Sequence, residues 1–250
     1  MLTSVVVGPM TERFVLWRCL HGGPLSPETI DRWASDDRLD WQALRARNVP
    51  LLKRLMATYG TCAMLARDAG RVVGMLRFYP KAIAALPEAG LLCLQQDFPN
   101  GPSEQLLETD FPPLADLADK TLAVHCLMAG SPSQQENPYQ RKGIGTRLAR
   151  ELIRWAKERG WRGIEASAYE DLDFIYSFTG NAGRRFWEKL GFRLVETRVE
   201  PWFERQRDLL RQMQEEALAH GLDPAHVANE YTMRLELTGL HGEAEEFTDS

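Results

Sequence analysis

The residues whose spacing most clearly suggests chemistry are Gly143 and Gly145, at the start of a predicted helix. They lie in the segment Gln140-Arg141-Lys142-Gly143-Ile144-Gly145-Thr146, which follows a predicted strand. The first amides of a helix lack intrahelical acceptors, and the helix dipole makes that end positive. Glycines leave these amides open to a bound anion, and Arg141 and Lys142 add cationic contacts. The segment therefore predicts a pyrophosphate-binding turn, although a plain loop-to-helix turn remains the alternative.

Two common phosphate motifs do not account for this segment. A P-loop requires Gly-Lys-Ser/Thr after a glycine and four further residues, and that spacing is absent here. A dinucleotide fingerprint requires a third glycine where Leu148 stands, together with an acidic residue farther along the chain, and none is suitably placed. The turn must therefore bind its anion through a different motif.

Two residues of a predicted buried strand at 121–128 carry further chemistry. His125 could accept a proton, because an imidazole titrates near neutral pH. A histidine in an apolar run is also commonly a hydrogen-bonded core residue, so both interpretations stay open. The adjacent Cys126 could accept an acyl group, but no acidic partner lies near it in the sequence. We expect Cys126 to pack in the core.

Composition narrows the class of protein. The 250 residues carry a formal net charge of −5, and 44% are hydrophobic and 26% charged, as in a soluble globular protein. Residues 140–162 hold eight basic residues and two acidic ones. A positive segment on an acidic chain favours a small phosphate-bearing ligand over a nucleic acid.

Two further features of the sequence concern the compartment. No apolar run approaches the roughly 18 residues of a membrane helix, and the start resembles no signal peptide, so we expect no membrane partner. Scattered cysteines without metal-ligand spacing predict reduced thiols, a cytoplasmic location and no metal. They are Cys19, Cys62, Cys93 and Cys126.

Hydrophobic patterns predict alternating strands and helices, hence an α/β or α+β chain with a mixed sheet. Asp68-Ala69-Gly70 indicates a hairpin turn, and Pro50 should kink or divide its helix. The Pro- and Leu-rich segment 80–118 predicts a long connection with short helical pieces. The predicted strands are 14–19, 61–67, 71–79, 121–128, 163–169, 192–199 and 231–237. The predicted helices are one beginning at Ser26 and those at 41–59, 146–159, 182–190 and 201–220.

The spacing Gln140-x-x-Gly143-x-Gly145, between a strand and a helix, resembles the acyl-coenzyme A loop of the GNAT superfamily of N-acyltransferases. The order Asn181, Trp187, Gly191-Phe192 farther along strengthens the resemblance. It covers residues 120–200 well and the remaining strands loosely, so that 80–118 and 202–220 look like additions. The resemblance implies one domain over 1–250, with a mixed, mostly antiparallel central sheet flanked by helices on both faces.

The resemblance also implies a binding mode for acetyl-CoA as co-substrate. Main-chain groups around Leu127 and Met128 should pair with the pantetheine arm. Asn181 and Trp187 should line the other side of the arm, and Gln140 opens the loop. The pyrophosphate should be held by the backbone amides of Arg141, Lys142, Gly143, Ile144, Gly145 and Thr146.

The activity implied is an N-acetyltransferase, moving an acetyl group from acetyl-CoA to a primary amine of a small molecule or protein by direct attack in a ternary complex. His125 is the candidate base. The family usually carries Tyr where Trp187 stands, and an indole is no acid near neutral pH. Three alternatives follow: CoA leaves as thiolate, Tyr176 supplies the proton, or the chain is a non-catalytic CoA-binding or regulatory module.

Acidic residues suggest how the acceptor amine would be attracted to the site. Four carboxylates lie near its expected approach, so a cationic amine is expected, with Asp171 and Asp173 as substrate-binding residues. The alternative is a solvated acidic loop. Tyr176 and Phe178 could wall such an ammonium group. The amphipathic helix at 202–220 should pack within the chain or form a homodimer surface. The four carboxylates are Glu165, Glu170, Asp171 and Asp173.

Overall fold

A single seven-stranded sheet organises the chain. The computed structural model describes residues 4–18, 20, 23–31, 41–85, 110–130, 137–179 and 181–237. The sheet order is β1-β2-β3-β4-β5-β7-β6, and every neighbouring pair is antiparallel except β4–β5, which is parallel. The predicted mixed, mostly antiparallel sheet is therefore confirmed. The strands are β1 Val6–Pro9, β2 Ala63–Asp68, β3 Arg71–Pro80, β4 Thr121–Ala129, β5 Gly163–Ala168, β6 Arg193–Val199 and β7 Asn229–Glu236.

Seven α-helices are found in the described part of the chain. Two 3-10 turns accompany them, at Leu114–Asp116 and Pro224–His226. The helices are α1 Trp41–Tyr59, α2 Lys81–Ala84, α3 Ile144–Glu158, α4 Asp173–Thr179, α5 Arg184–Glu188, α6 Pro201–Arg205 and α7 Arg207–Ala219.

Local patterns give the β2–β3 hairpin and α3 as predicted. Asp68 pairs with Arg71, so that Ala69 and Gly70 form a two-residue turn in which both have positive φ, 47° and 80°. Such a turn matches the twist of the strands it joins. Helix α3 buries one apolar stripe, with Ile144, Leu148, Leu152 and Ala156 turned inward. That stripe packs the helix on β1–β4.

Gly74 on β3 lets the first turn of α3 approach the sheet closely. A Cβ at this position would lie 2.9 Å from Cγ2 of Ile144 and 3.2 Å from the carbonyl oxygen of Met128. Such contacts are tighter than a packed core allows, so the helix or strand β4 would have to shift. Gly74 thereby fixes the distance between the start of α3 and β4.

We expect Gly74→Ala to lower the free energy of unfolding by about 1–3 kcal/mol, because overpacking at this contact forces backbone movement. Thermal or denaturant unfolding measures the loss. Gly8→Ala is the matched control, since a Cβ at Gly8 on β1 meets no atom within 4 Å. The control should leave stability unchanged or slightly raised. Equal stability of the two variants would contradict the close approach.

A second, smaller apolar core lies beside the main one. Ile175 of α4 packs there with Phe203 of α6 and with Met213 and Ala217 of α7. The predicted helix 201–220 is therefore two helices, interrupted at Gln206. Its apolar face is buried within the chain, as the intrachain alternative predicted.

The beginning of the chain departs from prediction. Residues 14–18 form no strand, and the first strand is Val6–Pro9. Leu16 and Trp17 are instead buried in the main core, and the Leu16 N–H donates to Sδ of Met10. An apolar run that is buried outside a sheet cannot be told from a strand by its pattern. The predicted Cys19 end of that strand lies outside the described residues.

Other expectations have mixed outcomes. Helix α1 runs without division through Pro50. The predicted helix start at Ser26 is a turn over 27–31, and the residues that follow, 32–40, lie outside the described part. In 80–118 the described helical pieces are 81–84 and 114–116, while 86–109 are not described.

Two findings bear on the membrane and thiol expectations. Among the described residues, no helix is both long and apolar enough to cross a membrane. Cys62 and Cys126 are buried free thiols, and burial raises the pKa of Cys62 to about 12. Cys19 and Cys93 lie outside the described residues.

Candidate functional site

The glycine turn at the start of α3 presents a row of backbone donors. Gly143 is the N-terminal cap in the left-handed conformation, with φ 76°, and Arg141 also has a positive φ of 53°. The first helical bond runs from the Arg147 N–H to the Gly143 carbonyl. None of the amides of residues 141–146 donates to a backbone or side-chain acceptor in the described part of the chain. With the dipole of α3 behind them, these amides can bind an anion.

Gly145 faces the space between β4 and α5. A Cβ there would lie 3.7 Å from Cδ2 of Leu127 and 3.6 Å from Cε2 of Phe186, which are ordinary packing distances. The chain could therefore carry a small side chain at this position without strain. Because Gly145 has no side chain, the turn is open toward β4.

Strands β4 and β5 part next to this turn. Their parallel ladder joins Thr121–Val124 to Gly163–Ala166 and goes no farther, although β4 continues to Ala129. On the other side of β4, Arg77 pairs with Cys126 and Phe78 with Val124. His125 is thus the extra residue of a β-bulge, and a bulge bends its strand. The gap between β4 and β5 begins at His125.

The pairing of β4 with β3 determines which peptide groups of β4 face this gap. The Gly130 N–H donates to the Val73 carbonyl at 2.6 Å. Because peptide groups in an antiparallel strand alternate in direction, those of Met128 also point toward β3, and those of Leu127 and Ala129 point into the gap. The pairing of main-chain groups around Leu127 and Met128 with an arm stays a prediction. In this structure the groups of Leu127 that could take part face the gap and those of Met128 face β3, while Ala129 is a gap-facing residue that the sequence did not reveal.

His125 lies at the closed end of the gap. It is half-buried, and its ring centroid is 5.9 Å from that of Tyr79. A base at this position would adjoin the first gap-facing amide beyond the bulge, that of Leu127. Cys126 is 3% exposed and belongs to the main core, as expected for a packing residue.

Tyr176 reaches the far end of the same gap from α4. The Ala129 amide donates a hydrogen bond to its hydroxyl, and burial raises the pKa of the phenol. Four residues of β4, about 13 Å, separate Ala129 from His125. The Cys126 thiol, one residue from His125, is nevertheless close enough to raise the pKa of the Tyr176 phenol further. The acid role of Tyr176 stays a prediction, because a phenol that accepts from an N–H still carries its own proton.

Asp173, the first residue of α4, lies beside the glycine turn. Its carboxylate accepts from the Arg141 guanidinium at 2.7 Å, and its own N–H donates to Glu216 at 2.7 Å. Asp171 accepts from the Arg185 N–H at 3.2 Å at the start of α5, and burial raises the pKa of its carboxyl. Both carboxylates predicted to bind the acceptor are thus engaged by the chain itself.

The other two predicted carboxylates also have partners. Glu165 on β5 forms ion pairs with Lys81 at 2.8 Å and with Arg234 at 2.7 Å. Glu170 is buried and accepts from the Tyr231 hydroxyl at 2.5 Å. These contacts tie β5 to its neighbours.

Trp187 is a core residue in this structure. It is 1% exposed, and its ring lies 4.9 Å from those of Phe186 and Phe192. Its indole N–H has no acceptor among the described residues. Phe186, half-buried beside Gly145, is the aromatic residue nearer the gap.

The remaining predicted positions flank the loop and α5. Asn181 is half-buried immediately before α5. Gln140 is half-buried in the turn that leads to α3, and its N–H donates to the Asn137 carbonyl. The side chain of Phe178 lies outside the described part.

Comparison with known proteins finds a family model that matches this region. Residues 136–192, a range that includes α3, β5, α4 and α5, match the model of the acetyltransferase (GNAT) family. No curated protein matches the chain.

Three solved structures are similar to this chain at low sequence identity. Ard1 from Thermoplasma volcanium is 10% identical, with 94% of this chain and 99% of that one covered and a TM-score of 0.45. An IAA acetyltransferase from Bacillus cereus is 14% identical, with coverage of 94% and 100% and a TM-score of 0.41. A putative streptothricin acetyltransferase from Bacillus anthracis, in complex with acetyl coenzyme A, is 13% identical, with coverage of 70% and 63% and a TM-score of 0.34.

The family model thus matches the segment that carries the glycine turn, α3 and α5, and that segment is built into a mixed seven-stranded sheet. Residues 136–192 are thus similar to the acetyltransferase (GNAT) family.

Proposed function

We propose that the chain is an acetyl-CoA-dependent N-acetyltransferase acting on a primary amine. The observation that carries the proposal is the row of amides at 141–146 lying beside the gap between β4 and β5. The amides suit a diphosphate, and the gap-facing groups of Leu127 suit an extended arm that pairs with β4 as a strand would. The Ala129 carbonyl, in contrast, accepts from the side-chain amide of Asn137 at 3.1 Å. Asn181 and Phe186 would flank the arm on the side of α5.

The proposed reaction is a direct transfer. His125 takes a proton from the acceptor amine, and the amine nitrogen forms a bond to the thioester carbonyl carbon. The Leu127 N–H, the first gap-facing amide beyond the bulge, would stabilise the negative charge that develops on the carbonyl oxygen. The carbon–sulfur bond then breaks. CoA leaves as a thiolate, which a thiol pKa near 8.5 permits without a protein acid.

The chain's own contacts bear on the acceptor. The four carboxylates predicted to attract a cationic amine are engaged by Lys81, Arg234, Tyr231, Arg141 and the start of α5. The proposal therefore rests on the amine as nucleophile and does not require its positive charge. The whole chain would act as one domain, with 80–118 and α6–α7 as additions to it.

A second candidate is a CoA-binding module without catalysis. Two observations favour it: Trp187 is buried in the core, and the Tyr176 hydroxyl is engaged by Ala129. The Trp187 indole is no acid near neutral pH, and the Tyr176 phenol lies at the Ala129 end of the gap. The two candidates agree on the ligand and differ in turnover.

Calorimetric titration with acetyl-CoA, free CoA and ATP tests the shared part of the proposal. We expect both CoA species to bind and ATP to bind more weakly, because ATP offers phosphates but no arm. A thiol-release assay against a panel of primary amines then tests turnover. Release with at least one amine supports the transferase, and binding without release on any amine favours the module. Absence of CoA binding contradicts both.

A further inference from the structure

Helix α4 contacts two groups that the proposed ligand would need, the Arg141 guanidinium and the Ala129 amide. Asp173 at its first residue holds the Arg141 guanidinium with both carboxylate oxygens, at 2.7 and 3.0 Å. Tyr176, almost one turn later, accepts from the Ala129 amide. One contact lies at the glycine turn and the other in the gap between β4 and β5.

The helix is also anchored on its opposite side. The Asp173 and Phe174 amides donate to the Glu216 carboxylate of α7, at 2.7 and 3.4 Å. Leu172 and Ile175 are buried in the second core. Helix α4 is thus fixed to α7 and reaches toward the glycine turn from that support.

We propose that α4 is a built-in competitor of acetyl-CoA: the Asp173 carboxylate takes the place of a phosphate at Arg141, and the Tyr176 hydroxyl takes the place of an arm carbonyl at Ala129. This inference rests on the proposed function. A carboxylate and a phosphate are both anionic partners for a guanidinium, and a phenol oxygen and an amide oxygen both accept from an N–H. Ligand binding is then an exchange, in which α4 releases both groups.

If α4 competes with acetyl-CoA in this way, removing its contacts should tighten the binding of CoA. Asp173→Asn frees Arg141 and removes a negative charge beside the phosphate site. Because the ion pair is exposed, we expect CoA to bind roughly three- to tenfold more tightly, with the gain shrinking at high salt. Calorimetry at two salt concentrations measures this change.

A double-mutant cycle of Asp173 and Arg141 tests whether the gain in CoA affinity arises from breaking their ion pair. Arg141→Gln should weaken CoA binding, and Asp173→Asn should have no further effect in that background. Asp208→Asn is the matched charge control, because Asp208 forms an exposed ion pair with Arg211 on α7, away from the turn. The control should leave CoA affinity unchanged. An equal gain from Asp208→Asn would mean that net charge, and not the exchange, sets the affinity.

Tyr176→Phe tests the second contact and keeps the ring. We expect the dissociation constant of CoA and the KM for acetyl-CoA to fall, whereas an unchanged CoA affinity would contradict the exchange whatever the effect on kcat. Thermal unfolding of each variant checks the fold.

The outcomes separate the two levels of the proposal. CoA binding by the wild-type chain without tightening in Asp173→Asn overturns the exchange and leaves the proposed function in place. Absence of CoA binding in the wild type, Asp173→Asn and Tyr176→Phe overturns both. Binding that is seen in Asp173→Asn but too weak to measure in the wild type supports both.

Discussion

Gly145→Asp is expected to weaken CoA binding by about 100-fold or more while leaving the fold as stable as before. The new carboxylate would stand among the amides that bind the diphosphate, and like charges at such distances repel by several kcal/mol at an intermediate dielectric. The same carboxylate is favourable at a helix N-terminus. A Cβ at this position meets only ordinary contacts, at 3.6 Å or more. Calorimetry and thermal unfolding measure the two quantities.

Gly145→Asn is the matched control for this change. Asparagine has nearly the same shape as aspartate and carries no charge, so it separates repulsion from obstruction. We expect the Asn variant to retain much of the CoA affinity that the Asp variant loses. If both bind CoA as the wild type does, the diphosphate lies elsewhere, and the role assigned to residues 141–146 is wrong. If both lose affinity equally, the position is limited by space.

The features that could be predicted from the sequence are those that local patterns determine. The stripe of α3, the glycine turn before it and the β2–β3 hairpin each depend on residues within a few positions of one another. Gly143 illustrates the point, because its positive φ is required by the turn that it forms. The family resemblance of the loop came from the same short segment.

The bulge at His125 could not be predicted, because it is a property of pairing. The residues Val124-His125-Cys126 read as continuous strand, and only the register against Arg77 and Phe78 shows that one residue is extra. The orientation of Leu127 and Ala129 toward the gap follows from that register. A sequence pattern places residues on a strand but does not give the register of its partner.

Helix α4 and strand β1 escaped prediction for a related reason. The seven residues of α4 are too few for a stable isolated helix, and α4 is supported by the second core and by Glu216. Strand β1 contains Gly8 and Pro9, which are uncommon in strands, and it forms as an edge strand along β2. Both elements depend on distant parts of the chain, so their own residues predict them poorly.

His125→Gln is expected to lower kcat by about 10²- to 10⁴-fold, the usual contribution of a general base. Glutamine keeps a polar side chain of similar reach at the bulge but cannot take up the amine's proton near neutral pH. The CoA affinity should stay unchanged, because the diphosphate and arm sites lie farther along the gap. Steady-state kinetics with an active amine and calorimetry with CoA measure the two effects.

The pH–rate profile distinguishes a base from a structural histidine. An imidazole must be neutral to accept a proton, so wild-type kcat/KM should rise with pH until the ring is deprotonated, and this limb should vanish in His125→Gln. Cys126→Ala is the matched control at the next residue of β4, which is buried, and we expect it to retain kcat within a few-fold. A variant of His125 that keeps the acidic limb and loses only thermal stability would mean that the ring packs against Tyr79 without taking part in the reaction. An equal loss of kcat in Cys126→Ala would instead point to an acyl-cysteine, and the direct attack of the amine would be wrong.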